Sequence, residues 1–288
     1  MAQELQETVV TFADGTTRGT GQVVTVADGA DGPFVVVDAT PFHPVDHTWP
    51  DQPGDTGLLS GVPVVDTRMA ALGPEGALRV GSDIPVRRGE PGWTWLVAHV
   101  LEGPAPSRGD VVTLVVDEGR RADLSTAHTA CHLAALAMNH ASAGFWRAGK
   151  DVRRDSLGAP DLDQIAMVSS VMDREGSTDT YRFGKSLRKK GFDAAAFTAV
   201  LPDVVEGVQA QLVRWMASAA EVRVEDDGDR RVTGRRRWTC ALPEGTGEMP
   251  CGGTHLARLD ALAAIDLHYA VLGDGSGLTV RTTPTRAA

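Results

Sequence analysis

Cysteine is scarce in this chain of 288 residues, which carries Cys131, Cys240 and Cys251 and no other thiol. An odd and sparse set of cysteines is typical of a reducing compartment and excludes a disulfide framework as the basis of the fold. The first residues have no basic segment followed by an apolar one, and no later run is long and apolar enough for a membrane span. We therefore expect a cytoplasmic protein without a membrane partner.

Positive charge is in deficit, with a formal net charge of −10. This balance argues against a general nucleic-acid coat, although a local basic face can still meet phosphate. Two segments concentrate the basic residues, and each is either a solvated face or a phosphate-binding surface. Their candidate phosphate-binding residues are Arg182, Lys185 and Arg188 in the first segment and Arg235, Arg236 and Arg237 in the second.

The pattern of the chain changes near residue 120. From Thr8 to about Asp117, short β-rich runs alternate with Gly, Pro and Asp, a pattern that predicts a small antiparallel barrel or sandwich. Hairpin turns are predicted at 13–15 and 27–29. Beyond this point we predict a helix capped by Ser125 or Thr126, an amphipathic helix over 204–220 and a last helix over 256–267. The predicted domains are therefore residues 1–120 and 121–288.

Two distant motifs carry residues suited to metal binding. In the run STAHTACH, His128 and His132 are four residues apart, so on a helix both imidazoles project from one face. In the run PCGGTH, Cys251 and His255 add a thiolate and a third imidazole. Each motif alone is weak, because a histidine pair is often a solvated face and a cysteine before two glycines can be a tight turn. Together they make a set suited to Zn²⁺.

The same two motifs carry a resemblance to a known family. HTACHL followed far downstream by PCGGTHL resembles the paired zinc motifs of the alanyl-tRNA synthetase editing domain and of its free-standing AlaX-type relatives. Upstream, VVVDATPF, QPGDTG and GDVVTLVVDEGRR are similar to the barrel segments of the longer AlaX proteins. The resemblance implies an α+β protein with an N-terminal antiparallel β-barrel and an editing domain whose helices pack on a curved antiparallel sheet.

The resemblance also implies an activity. It predicts a trans-acting, zinc-dependent hydrolase that removes a wrong amino acid, such as Ser, Gly or a Thr-like or non-standard analogue, from the 3′ end of misacylated tRNA. No nucleotide cofactor is expected, and the oligomeric state is left open. Two alternatives remain: a zinc hydrolase of the same fold that acts on a small-molecule ester or amide in specialised metabolism, and a non-catalytic RNA-binding module with structural zinc.

The chain departs from the family in one loop. Longer AlaX proteins carry a glycine-rich run ending in glutamine, where this chain reads HPVDHTWPDQP from His43 to Pro53. We predict that this loop sets substrate specificity through Trp49, Asp51 and Gln52. Thr129, beside His128, is a candidate catalytic residue whose hydroxyl either meets substrate or bonds to backbone.

The four predicted ligands raise a mechanistic question. Four protein ligands normally close a tetrahedral zinc site, which is the structural pattern. Catalysis then requires that one ligand is loosely held, that zinc expands its coordination, or that the metal orients the amino group of the substrate. These alternatives stay open at the level of the sequence.

Overall fold

The structure, a computed structural model, describes residues 5–287. The chain forms two compact units. The first comprises the residues up to Ala122 together with Val224–Arg236 and Gly252–Thr254, and the second comprises Asp123–Arg223, Arg237–Cys251 and the chain from His255 onwards. The domain boundary at residue 120 stays a prediction.

The first unit is built from short strands. They are β1 (Val9–Val10), β2 (Arg18–Ala27), β3 (Phe34–Val37), β4 (Ala39–Thr40), β5 (Gly57–Leu59), β6 (Val62–Leu72), β7 (Leu78–Val80), β8 (Thr94–Leu101) and β9 (Val111–Val116). An antiparallel sheet has the order β5-β9-β2-β3-β8-β6-β7, and β5 also pairs with β6. The short strand β1 pairs with β4 in parallel.

Burial along these strands follows their hydrophobic pattern. In β9, Val112, Leu114 and Val116 are buried while the alternate residues face outwards, as expected for a strand with one face on the core. In β8, every residue from Trp95 to Leu101 is buried, so both of its faces are covered. The large antiparallel sheet agrees with the α+β class predicted from the sequence.

The second part of the chain combines helices with antiparallel strands. Its elements are α1 (Glu118–Ala141), α2 (Leu162–Ala166), β10 (Met167–Asp173), β11 (Gly176–Arg182), α3 (Lys185–Lys189), α4 (Ala194–Ala199), α5 (Leu201–Ala217), β12 (Val222–Asp226), β13 (Arg236–Leu242), β14 (Gly245–Pro250), β15 (Leu262–Val271) and β16 (Gly277–Arg286). One antiparallel sheet has the order β10-β11-β16-β15, and β13 pairs with β14 as a hairpin.

The core of the second unit is formed by α1, α5 and the strands around them. Leu133 and Leu136 of α1 are fully buried and share one hydrophobic cluster with Leu212 and Trp215 of α5. Full burial of such a side chain stabilises the fold by about 1.5–3 kcal/mol. This packing fixes the position and rotation of α1, which carries the first metal-binding motif.

Two predictions about secondary structure are wrong. Helix α1 begins at Glu118 rather than at Ser125, because the Asp117 carboxylate accepts the backbone N–H of Arg120 at 3.0 Å and caps the helix earlier. The predicted last helix, residues 256–267, contains instead a short 3-10 helix at Leu259–Ala261 and the first part of strand β15, which pairs with β16. Tertiary pairing overrides the helix propensity of its alanines and leucines.

The predicted turns have different outcomes. Residues 27–29 lie in the connection between the paired strands β2 and β3, as expected for a hairpin. Residues 13–15 do not form a hairpin, because Phe12–Asp14 is a short 3-10 helix that ends at Gly15 with a φ of 76°. Among residues 5–287, no helix is both long and apolar enough to cross a membrane.

Candidate metal centre

The two predicted histidine ligands lie on the buried part of α1. His128 and His132 are 1% and 9% exposed. They are one helical turn apart, and their rings meet edge to face with centroids 4.7 Å apart. The helix therefore presents both imidazoles to the same small volume.

The other two predicted ligands follow the β13–β14 hairpin. Pro250 at the end of β14 pairs with Arg237 near the start of β13, and Cys251 comes next in the chain. Trp238 of β13 is fully buried and packs edge to face on His132, with ring centroids 4.9 Å apart. The hairpin thus places the Cys251 thiol next to the rings of His128 and His132.

These four residues form what we call the ligand cluster. Their candidate ligand atoms all lie within 4.8 Å of one another in His128, His132, Cys251 and His255. The Sγ atom of Cys251 is 3.4 Å from Nε2 of His128 and 3.3 Å from Nε2 of His255. A tetrahedral zinc ion with bonds of about 2.0–2.3 Å holds its ligand atoms about 3.3–3.8 Å apart. The two sulfur–nitrogen distances therefore match those around a single metal ion.

The protonation state of the buried histidine also suits a ligand. Burial lowers the pKa of His132 to about 3, so its ring is neutral near physiological pH and offers a lone pair. Its Nδ1 atom is buried without a hydrogen-bond partner. A buried unpaired polar atom costs about 1–3 kcal/mol. A metal ion bound to this ring would account for the unpaired nitrogen.

Thr129 lies behind one of the ligands. Its Oγ1 atom is 3.2 Å from Nδ1 of His255 and accepts the backbone N–H of Leu256 at 3.1 Å. If His255 binds a metal through Nε2, its Nδ1–H donates to this oxygen, which fixes the ring and its tautomer. These are the contacts of a residue that orients a ligand, whereas a direct catalytic contact with substrate stays a prediction.

The loop from His43 to Pro53 is joined to the segment that contains two of the ligands. Gln52 is 1% exposed, donates from Nε2 to Oγ1 of Thr254 at 2.9 Å, and accepts the backbone N–H of Thr254 at 3.0 Å. Thr254 immediately precedes His255 in the chain. Asp51 is half-buried and Trp49 is exposed. The predicted specificity loop is therefore hydrogen-bonded to Thr254 within the first unit, and its role stays a prediction.

The basic candidates differ in exposure. Arg182, Lys185 and Arg188 are all exposed at the end of β11 and on α3. Arg235 is exposed, and Arg237 pairs with Glu248 at 3.2 Å. Arg236, in contrast, is 6% exposed, and it donates to the backbone carbonyl groups of Gly234 and Arg231. Its contacts are with protein, so the case for a phosphate contact is stronger for the other five.

A second polar group, which we call the acid–thiol cluster, lies in the same unit. Cys131 of α1 donates to Asp179 of β11 across 3.5 Å, Ser177 donates to the same carboxylate at 3.0 Å, and Tyr181 donates to Asp163 at 2.9 Å. Burial raises the pKa of Asp163 to about 7 and raises the pKa of Asp179. The cluster therefore holds acidic groups in an environment that favours their neutral forms.

Sequence reasoning missed Trp238 and the acid–thiol cluster. The alternation of Ser177, Asp179 and Tyr181 does predict that they share one face of a strand. Their polarity, however, is that of a solvent-facing row, and no spacing rule links them to Cys131. Trp238 gives no signal beyond its large apolar ring.

The fold and the ligand cluster together define an α+β protein with a candidate metal site, and similarity to known proteins narrows the class further. No family model matches the chain. The chain is 30% identical to alanine–tRNA ligase of Chloroflexus aurantiacus over 210 residues, which are 73% of this chain and 18% of that enzyme. The corresponding ligase of Caldivirga maquilingensis is 29% identical over 247 residues, covering 82% of this chain and 22% of the relative.

A third relative extends the match along the chain. Alanine–tRNA ligase of Pyrobaculum neutrophilum is 25% identical over 276 residues, or 89% of this chain and 25% of the enzyme. The chain thus spans about a fifth to a quarter of the length of these curated relatives. It is a homologue of alanyl-tRNA synthetases along most of its own length, and the resemblance noted in the sequence is confirmed.

Proposed function

We propose that this protein is a zinc-dependent deacylase of misacylated tRNA. The observation that carries the proposal is the convergence of His128, His132, Cys251 and His255 within 4.8 Å in a homologue of alanyl-tRNA synthetases. The bond to be broken is the ester between a small amino acid and the 3′ end of tRNA. Serine, glycine and threonine-like or non-standard amino acids are the proposed aminoacyl groups.

The residues of the ligand cluster would bind the metal, and neighbouring residues would keep these ligand side chains in position. Bound zinc would supply a Lewis acid that polarises the ester carbonyl or lowers the pKa of water. Thr129 keeps the ring of His255 in one orientation, and Trp238 packs against His132. Such supporting contacts matter because small displacements of a ligand weaken both metal binding and catalysis.

Selection of the aminoacyl group is assigned to the loop that replaces the glycine-rich run. The Gln52–Thr254 contacts support this assignment, because they join the loop to the residue next to His255. Asp51, half-buried beside Gln52, is the residue of this loop that we assign to polar selection. A substrate that leaves a buried polar group of the site without its hydrogen bond is rejected strongly. A substrate that merely lacks one methylene is disfavoured by only about 1–3 kcal/mol.

Binding of the tRNA backbone is assigned to the exposed basic residues. Of the six basic candidates, five face solvent: Arg182, Lys185, Arg188, Arg235 and Arg237. For the first unit, we propose that the sheet closes as the small barrel predicted from the sequence, since β5 pairs on one side with β9 and on the other with β6.

The proposal is tested by release of amino acid from a panel of tRNAs charged with serine, glycine, threonine or alanine. We expect hydrolysis of at least one mischarged tRNA, and loss of that activity in His132→Ala. If small esters are hydrolysed while every aminoacyl-tRNA stays intact, the result supports the small-molecule alternative. Binding of tRNA without any hydrolysis would support the non-catalytic alternative. Either outcome contradicts the proposal.

A further inference from the structure

The turn at the tip of the 43–53 loop is held rigidly by Asp46. Its Oδ1 atom accepts the backbone N–H of Thr48 at 2.7 Å, the Thr48 hydroxyl at 2.6 Å and the backbone N–H of Trp49 at 3.3 Å. Its Oδ2 atom pairs with Arg88 at 3.1 Å. The Trp49 carbonyl accepts the N–H of Asp51 at 2.9 Å. Trp49 is therefore presented on an ordered turn.

The side chain of Trp49 is nevertheless exposed. It is 42% exposed, whereas Trp95, Trp215 and Trp238 are at most 1% exposed. Within residues 5–287, its indole makes no ring–ring or cation–ring contact. A large rigid aromatic face that meets solvent is poorly explained by packing, and it is also poorly suited to enclose a small aminoacyl side chain.

The turn contacts residues 252–254, which belong to the same unit and lie between Cys251 and His255 in the chain. On one side, Gln52 is bonded to Thr254. On the other side, Arg88, the partner of Asp46, has its Nη1 atom 3.8 Å from the position that a Cβ atom on Gly252 would take. Because Trp49 lies between Asp46 and Gln52 in the chain, its turn is connected to residues 252–254 on both sides.

We propose that Trp49 is a stacking platform for an unpaired base at the 3′ end of the tRNA substrate, not a wall of the aminoacyl pocket. Unpaired RNA ends are recognised mainly by stacking on aromatic side chains, which tolerates any base. A platform on the turn that contacts residues 252–254 would position the terminal ribose, and thus the ester, without contacting the amino acid. The inference rests on the proposed function, because it assigns a part of the same substrate to a further residue.

The first test measures binding of uncharged RNA. Fluorescence anisotropy with a labelled hairpin ending in an unpaired 3′ CCA, and with a blunt hairpin of the same stem, gives Kd for wild type, Trp49→Ala and Trp49→Phe. We expect Trp49→Ala to weaken overhang binding about tenfold, the effect of losing one base stack. Trp49→Phe should recover most of this affinity, and neither variant should change binding of the blunt hairpin. Leu58→Ala is the matched control, because Leu58 is 43% exposed.

The outcome separates this inference from the proposed function. A Trp49-dependent preference for the overhang, even without deacylation of any charged tRNA, supports the platform and counts against the deacylase. An unchanged overhang Kd in Trp49→Ala, or an equal weakening for the blunt hairpin, overturns the platform whatever the activity. A second readout is the ranking of aminoacyl groups by kcat/KM. The platform predicts a uniform decrease, and a changed ranking with unchanged overhang binding would overturn it.

Discussion

Two cysteines of the second unit, Cys251 and Cys131, lie in opposite environments. Cys251 is half-buried in the ligand cluster, with its sulfur 3.3 Å and 3.4 Å from two imidazole nitrogens. Cys131 is on the same helix as His128 and His132, yet its thiol points to the Asp179 carboxylate. Burial, followed by the charge of Asp179, raises the pKa of the Cys131 thiol well above its ordinary value. The neutral thiol is a donor here, and it is a poor metal ligand.

A cysteine that is close in sequence to two metal ligands on the same helix is therefore not necessarily a metal ligand itself. A metal ligand needs a lone pair, other ligands at about 3.5 Å and a partner that fixes its orientation. The ligand cluster has these features in His132, His255 and the supporting Thr129. The acid–thiol cluster instead satisfies its donors and acceptors internally, because Cys131, Ser177 and Tyr181 donate to buried carboxylates.

Replacing each cysteine tests the comparison most strongly. Cys251→Ala should lose most of the bound zinc, because it removes the only thiolate of the ligand cluster, and His132→Ala should do the same. Cys131→Ala should retain zinc at a stoichiometry near that of wild type, since Asp179 and not a metal is its partner. Metal analysis of purified protein gives the stoichiometry. Full zinc content in both Cys251→Ala and His132→Ala would refute the ligand assignment.

The acid–thiol cluster should be recognisable by the pH dependence of stability. The folded-state pKa of Asp163 is raised from 3.8 to about 7, so the folded protein holds its proton more tightly than the unfolded chain does. Between about pH 4 and 7 the unfolded chain releases this proton first, and stability therefore falls as pH rises. At 1.4 kcal/mol per pKa unit, the upper bound of the decrease is about 4 kcal/mol.

Asp163→Asn removes this titration. Its free energy of unfolding relative to that of wild type should therefore rise as pH increases from about 4 to 7. Denaturant unfolding measures this difference, provided that the two proteins have the same m-value. Asp173→Asn is the control, because hydrogen bonds from Arg281 hold the pKa of Asp173 below its ordinary value of 3.8. Asp173 is therefore ionised in both states above about pH 4, and the difference between Asp173→Asn and wild type should stay constant from about pH 4 to 7. A constant difference between Asp163→Asn and wild type across this range would contradict the raised pKa.

The ligand cluster could be predicted from the sequence and the acid–thiol cluster could not, for a physical reason. His128 and His132 follow the helical period, and Cys251 and His255 share a short glycine-containing segment, so each pair is local. The contact between Cys131 and Asp179 depends on packing between a helix and a strand 48 residues away. Local spacing contains no information about that packing.

The same distinction explains the secondary structure. Helix α5 was predicted because Val205, Val208, Leu212 and Trp215 lie near one face at helical spacing. Val208, Leu212 and Trp215 are buried, whereas Val205 is half-buried. Strand β15 was missed because its LAAIDLHYAV run has helix-forming residues, while its strand state is decided by pairing with β16. Long-range hydrogen bonding decides such segments, and propensity alone does not.

A smaller effect should separate the ligands from their support. Thr129→Val keeps the shape of the side chain and removes the oxygen that contacts His255 and Leu256. Removal of such a supporting hydrogen bond typically lowers metal affinity about 10–100-fold. Competition with a zinc chelator should reveal this decrease, with Thr129→Ser near wild type. Unchanged affinity in Thr129→Val would mean that His255 is oriented by other contacts.

The smallest effect is expected from charges that belong to neither buried cluster. Arg182, Lys185 and Arg188 are exposed, so their replacement by glutamine should leave zinc content unchanged and weaken tRNA binding only modestly. Each phosphate contact that is removed lowers the slope of log K against log salt by about 1. Arg223→Gln is the matched control, because Arg223 is exposed and already paired with Glu221 at 2.8 Å. Titrations at several salt concentrations give the slope. An unchanged slope in the triple variant would make these residues a solvated face and leave tRNA binding to other surfaces.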